Sequence, residues 1–144
     1  MTNKTSSNRR IVVGVDGSPN SAKALDWAVS FAHSGDTVIL LAAWSPIVVP
    51  VEMAMSYTFD DAGAKTVLED ENKRIAETSA ARGISLEMQF ENKDPLYALL
   101  GTPADVLVVG ARGRGGVLGI LLGSVADYVS RHSKVPVVIV PAGE

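Results

Sequence analysis

The stretch 108–125, VVGARGRGGVLGILLGSV, opens as a buried strand and closes as the start of a helix. Between the two lie Gly110, Gly113, Gly115, Gly116, Gly119 and Gly123, with two arginines and no acid. Glycine in a loop marks backbone that turns sharply or comes close to something else. A plain strand-to-helix connection takes about 2–6 residues. This one is longer and richer in glycine than a connection alone requires. Strand, loop and helix in this order are one half of a βαβ unit, and the rest of the chain repeats that alternation.

Before the loop, ADVLVVG supplies the fourth apolar strand; after it come a helix over 124–133 and a fifth strand in VPVVIVP. At the other end, RRIVVGVDGS gives a buried strand over 10–15. Ser18 then stands as N-cap before Pro19, and Ala22, Leu25, Ala28, Val29 and Ala32 follow at helical spacing until HSGD closes the helix near residue 34. TVILLAAW, 37–44, is a second continuous apolar strand. Residues 45–61, with two prolines and several apolar residues, read as a long mobile loop and a candidate lid. A helix over 62–82 ends at Gly83, ISLEMQFE (84–91) alternates like a half-exposed edge strand, and a short helix spans 95–101. Continuous apolar strands alternating with helices predict an α/β fold. It is a single doubly wound five-stranded parallel sheet, strand order 3-2-1-4-5, with helices on both faces. Residues 1–8 read as a flexible tail and 9–144 as one domain.

Composition narrows the function. The 144 residues carry 47% hydrophobic and 20% charged side chains and a net charge of −3, so neither nucleic acid nor a membrane surface is an expected partner. The absence of cysteine excludes disulfides, thiolate metal sites and a cysteine nucleophile. The polar start MTNKTSSNRR has no apolar segment behind it long enough for a signal peptide, and the expected location is cytoplasmic. His33 and His132 are far apart, both near helix C-termini where a cation is favoured. Trp27 and Trp44 read as core or pocket wall.

In open α/β sheets, ligands bind beyond the carboxyl ends of the strands. Two loops meet that description. One holds Gly14, Asp16 and Gly17; the other is the glycine loop, which ends at Gly123–Ser124 directly before a helix. A helix N-terminus offers unpaired N–H groups and partial positive charge to an anion. Glycines let the backbone curl round phosphate oxygens, Ser124 adds a hydroxyl, and Arg112 and Arg114 add charge. Asp16 reads equally as an Asx-turn residue. Neither the Walker motif nor the dinucleotide fingerprint is present.

The spacing that is present, Gly110-x2-Gly113-x9-Gly123-Ser124, resembles the nucleotide-binding signature of the universal stress protein family, in its ATP-binding branch. IVVGVDGSPNSAKALDWA resembles the family's opening strand, acidic loop and first helix, and the closing half of the chain resembles its end. The resemblance implies a role for each matching residue. Asp16 would contact the ribose side of the nucleotide, Gly14 would line the adenine pocket, and the backbone of Ala43 would read the adenine edge. Gly110, Ala111, Arg112, Gly113, Arg114, Gly115 and Gly116 would pass over the phosphates, and Ser124 and Val125, after Gly123, would donate to the terminal ones. It implies ATP accompanied by Mg2+, and a homodimer formed through the last strand, Val135–Val140. The helix between Asp94 and Asp105 is shorter than the family's usual one.

The expected function is that of a nucleotide-responsive regulator in the stress response, acting by binding. The alternatives are a slow ATPase or autokinase, with Arg112 and Arg114 as charge clamp and Asp16 on the metal, and a module for another adenine nucleotide such as cyclic AMP. The downstream protein partner is not named by the sequence.

Overall fold

Five strands, β1 (Arg10–Gly14), β2 (Thr37–Ala43), β3 (Ser85–Glu91), β4 (Val106–Gly110) and β5 (Val137–Val140), form one sheet in the order β3-β2-β1-β4-β5. Every neighbouring pair is parallel. Helices α1 (Pro19–Phe31), α2 (Asp61–Ala81), α3 (Pro95–Gly101) and α4 (Ser124–His132) run between them. The expected fold class and strand order are those observed. The structure is a computed structural model that describes residues 8–45, 61–113 and 122–143. The tail expected over 1–8 and the lid expected over 45–61 fall almost wholly outside those residues, as do 114–121 of the glycine loop.

Alternation along each strand divides the core in two. Ile11 and Val13 of β1, Val38 and Leu40 of β2 and Val108 of β4 face α1 and α2, where Leu25, Ala28, Leu68 and Ile75 cover them. Val12, Ile39, Leu41, Leu107 and Val109 face the other way, onto Ala98 and Leu99 of α3 and Ala126 and Val129 of α4. Both faces of the central strands are buried, which is why their sequences read as unbroken apolar runs rather than as alternation. β3 lies at an edge, and none of its residues is fully buried: Leu86 and Phe90 pack on the core, while Met88 between them is half exposed. Trp27 stacks on Phe31 with ring centroids 4.8 Å apart, and both tryptophans pack on the α1–α2 side of the core, where neither lines the cavity described below.

The same device starts two helices. Ser18 Oγ accepts from Ser21 N at 3.1 Å with Pro19 as first helical residue. Asp94 Oδ1 accepts from Leu96 N at 2.8 Å with Pro95 in that place. α1 ends at Phe31, earlier than HSGD suggested, and His33 lies beyond the helix. The buried carboxylate of Asp36 accepts the His33 N–H at 2.8 Å, which draws the chain away from helical geometry. His132 is the last residue of α4, its ring stacked on Tyr128 at 4.0 Å and its Nδ1 2.9 Å from the Tyr128 carbonyl.

Candidate functional site

Leaving β3 at one edge, the chain crosses the sheet to place β4 on the far side of β1, so the loops after β1 and β4 part in opposite directions. A crevice opens at such a switch point. Here it is a cavity of about 630 Å3, within the range of small-molecule sites. Its floor and inner wall are apolar: Gly14 and Val15 from the end of β1, Leu41 and Ala43 from β2, Val109 from β4, Pro95 and Leu99 from α3. Its other end is backbone and polar side chains: Asp16, Ser21, Ala111–Gly113, and the segment Leu122–Asp127 that begins α4.

Of the thirteen residues predicted to bind a ligand, Gly14, Asp16, Ala43, Gly110, Ala111, Arg112, Gly113, Gly123, Ser124 and Val125 line this one cavity. Arg114, Gly115 and Gly116 lie outside the described residues. Both ends of the glycine loop are fixed to each other, since Gly123 N donates to the Ala111 carbonyl at 2.6 Å. α4 begins with Gly123 as N-cap, which has no side chain to occupy the first-turn N–H groups, unlike the caps of α1 and α3. Those groups and the helix dipole are therefore available to an anion in the cavity.

Asp16 holds the other side. Its Oδ1 accepts from Ser18 N at 2.9 Å, the Asx-turn geometry that the sequence also allowed. Its Oδ2 faces the glycine loop: a Cβ on Gly113 would stand 2.7 Å from it. Asp127, in the first turn of α4, also borders the cavity, and its carboxylate is drawn outward by Arg131, 3.1 Å away. Among the described residues no group of three or more His, Asp or Glu could cage a metal ion. The oxygen donors of Asp16 and Ser124 are of the kind that suits a hard ion such as Mg2+.

Sequence reasoning missed four kinds of residue. Leu41 shares a strand face with Ala43 two residues on, and period-two spacing would have found it. Pro95 and Leu99 are four apart on α3, one face of one helix, but nothing in the sequence brings that face to the sheet end. Asp127 lies one turn beyond Ser124, and Ser21, in the first turn of α1, is five residues after Asp16. Asn20, which supports the loop from behind, has no sequence signal at all.

The model of the universal stress protein family matches residues 7–141. The chain is 31% identical to the universal stress protein YxiE of Bacillus subtilis, over 91% of this chain and 97% of that protein. It is 30% identical to the universal stress protein Mb2019 of Mycobacterium bovis, over 93% of this chain and 48% of that one, so it spans about half the length of the first curated relatives it matches. Among solved structures it resembles a universal stress protein in complex with cAMP, 31% identical, covering 96% of this chain and all of that one with a TM-score of 0.65. No described helix is long and apolar enough to cross a membrane.

Proposed function

The chain belongs to the universal stress protein family, and on that premise we propose that the sheet-end cavity binds an adenine nucleotide, with ATP as the ligand and the protein as a nucleotide-responsive regulator. The observation that carries this reading is the division of the cavity. One end is an apolar slot between Gly14, Leu41, Ala43 and Leu99, suited to a flat heteroaromatic ring. The other is the start of α4 and the glycine loop, suited to a chain of phosphates. Asp16, at the polar end beside the glycine loop, offers a carboxylate for ribose hydroxyls. With Mg2+ present, the ion neutralises phosphate charge, and Asp16 and Ser124 are the side chains that would share it.

The site acts by binding in this reading. The apolar slot contributes affinity by burial and the α4 start contributes charge recognition. A ligand changes the protein only by its differential affinity for two arrangements of the loop. The alternative reading is slow hydrolysis or autophosphorylation, with Arg112 and Arg114 as the charge clamp. A second ligand reading, cyclic AMP, is favoured by the relative solved in complex with it. It uses the slot and Asp16 but leaves part of the phosphate end idle. We also propose a homodimer through the edge formed by Val135–Val140, where every residue of β5 is only half buried by its own chain, and a cytoplasmic location.

Calorimetric titration of nucleotide-stripped protein with ATP, ADP and cyclic AMP, each with Mg2+, tests the reading. ATP should bind tightest. Gly123→Ala should weaken ATP by about tenfold or more, equivalent to about 1.4 kcal/mol, because its Cβ would stand 3.2 Å from the Ala111 carbonyl oxygen and push the two ends of the loop apart. A preference for cyclic AMP would transfer the function to second-messenger binding. No binding by any of the three would refute the nucleotide site.

A further inference from the structure

Asn20 lies in the first turn of α1, is 6% exposed, and does not border the cavity. Its carboxamide nevertheless joins two distant pieces of chain. Oδ1 accepts from the backbone N–H of Arg112, the second residue of the glycine loop, at 2.7 Å. Nδ2 donates to the carbonyls of Val140, at 3.0 Å, and Pro141, at 3.3 Å, where β5 ends. The orientation of the amide is fixed by its partners, since only the oxygen can face an N–H and only the nitrogen can face two carbonyls. Space for it is provided by Gly110: a Cβ there would lie 2.8 Å from Asn20 Cγ. One turn further along α1, Lys23 Nζ donates to the Ala142 carbonyl at 2.6 Å. The segment after β5 is thus tied to α1 at two successive turns, and the first of those ties shares its amide plane with the ligand loop.

We infer that Asn20 is a positioning residue that couples the ligand loop to the last strand, so that a ligand ordering Arg112 and Gly113 also fixes the backbone of 137–143. The rigid unit is small: one amide plane, the loop N–H groups of Ala111 and Arg112, and two strand-end carbonyls, that of Val140 accepting from both Asn20 and Ala111 N at 2.9 Å. If the loop moves away from Asn20, the amide oxygen loses its N–H partner and the group is held from one side only, so the donor to the carbonyls of Val140 and Pro141 is less firmly placed. Coupling of this kind is reciprocal, so loosening the strand end also loosens the loop. Its ligand-driven half rests on the nucleotide reading above; the direct link between loop and strand does not.

Asn20→Asp separates the two halves of the amide. It keeps an acceptor for Arg112 N and replaces the donor toward Val140 and Pro141 by a second acceptor. Exchange of individual amide hydrogens, followed by NMR with and without ATP and Mg2+, reads the consequence. In the wild-type chain, saturating ATP should slow exchange at the amides of 137–143. In Asn20→Asp, brought to saturation with ATP as followed by calorimetry, the slowing at 137–143 should disappear. Asn20→Ala should weaken both the affinity for ATP and the slowing. Persistence of the ligand effect on 137–143 in Asn20→Asp would overturn the coupling, as would its absence in a wild-type chain that binds ATP.

A ligand-free arm keeps the inference separate from the nucleotide reading. Deleting residues 141–144 removes the Pro141 and Ala142 acceptors and should speed exchange at the Arg112 amide by about fivefold or more in the wild-type background and not further in Asn20→Ala. If exchange at Arg112 ignores the deletion while the fold is retained by circular dichroism, the segment after β5 is not linked to the loop and the coupling proposed for 141–143 fails, whether or not ATP binds.

Discussion

Replacing Asp36 by alanine is expected to destabilise the fold by about 3–4 kcal/mol, with the unfolding temperature falling by roughly 10 °C. The side chain is fully buried. It accepts the backbone N–H of Arg9 at 2.9 Å, Arg9 Nε at 3.1 Å and Nη2 at 2.8 Å, and the backbone N–H of His33 at 2.8 Å. One carboxylate therefore ties the entry to β1, the exit from α1 and the start of β2 into a single knot at the amino ends of the strands. Alanine leaves two backbone donors without their partner, each worth about 1–3 kcal/mol when it stays buried. Arg9 recovers part of its loss, since a third of its side chain already meets water and its guanidinium rests on the Phe31 ring, 4.6 Å from the centroid. Asp36→Asn keeps the shape and one acceptor oxygen and should lose about half as much. The knot is at the opposite end of the sheet from the cavity, so ligand affinity of the folded variant should equal that of wild type. Thermal unfolding and calorimetry on the two variants check this. A loss below about 1 kcal/mol for Asp36→Ala would mean that water or a neighbour takes over the N–H groups.

What the sequence makes legible follows from where each constraint is local. Strand positions are readable because β1, β2 and β4 are covered on both faces, and an unbroken apolar run has few other homes in a chain this size. The starts of α1 and α3 are readable because the cap is a side chain two or three residues from the N–H it serves. The glycine loop is readable by its length and composition, and the residues at its two ends do meet across one cavity. The end of α1 is not readable, because it is decided by a buried acid whose other partner, Arg9, lies 27 residues away in the chain. Leu99 and Asn20 escape for the same reason. The first is an ordinary apolar helix residue until tertiary packing aims it at the sheet end, and the second makes all its distinctive bonds across more than ninety residues.

Two glycines that border the same cavity should differ in what alanine does to stability, and the contrast separates scaffold from binding surface. At Gly110 the added Cβ would lie 2.8 Å from Asn20 Cγ and 3.0 Å from both of its terminal atoms. Asn20 is held on three sides by backbone groups and has no room to retreat, so Gly110→Ala should cost about 2–3 kcal/mol through overpacking and broken hydrogen bonds. In the nucleotide reading it should also lower ATP affinity, because Arg112 N loses its anchor. At Gly14 the added Cβ would meet Val109 Cγ1 at 3.5 Å and Leu99 at 3.6 Å, ordinary van der Waals contact. Stability should therefore stay within about 0.5–1 kcal/mol of wild type, the range in which alanine in a strand is commonly the better residue. That methyl joins Leu99 and Val109 on the wall of the apolar slot, where the proposed ring would lie, and should reduce the affinity for both ATP and cyclic AMP by about tenfold. Unfolding curves and titrations of the two variants give four numbers. A stable Gly14→Ala that binds as wild type would move the ring out of the slot. A fully stable Gly110→Ala would show that Asn20 can yield, and with it the support that the glycine loop draws from α1.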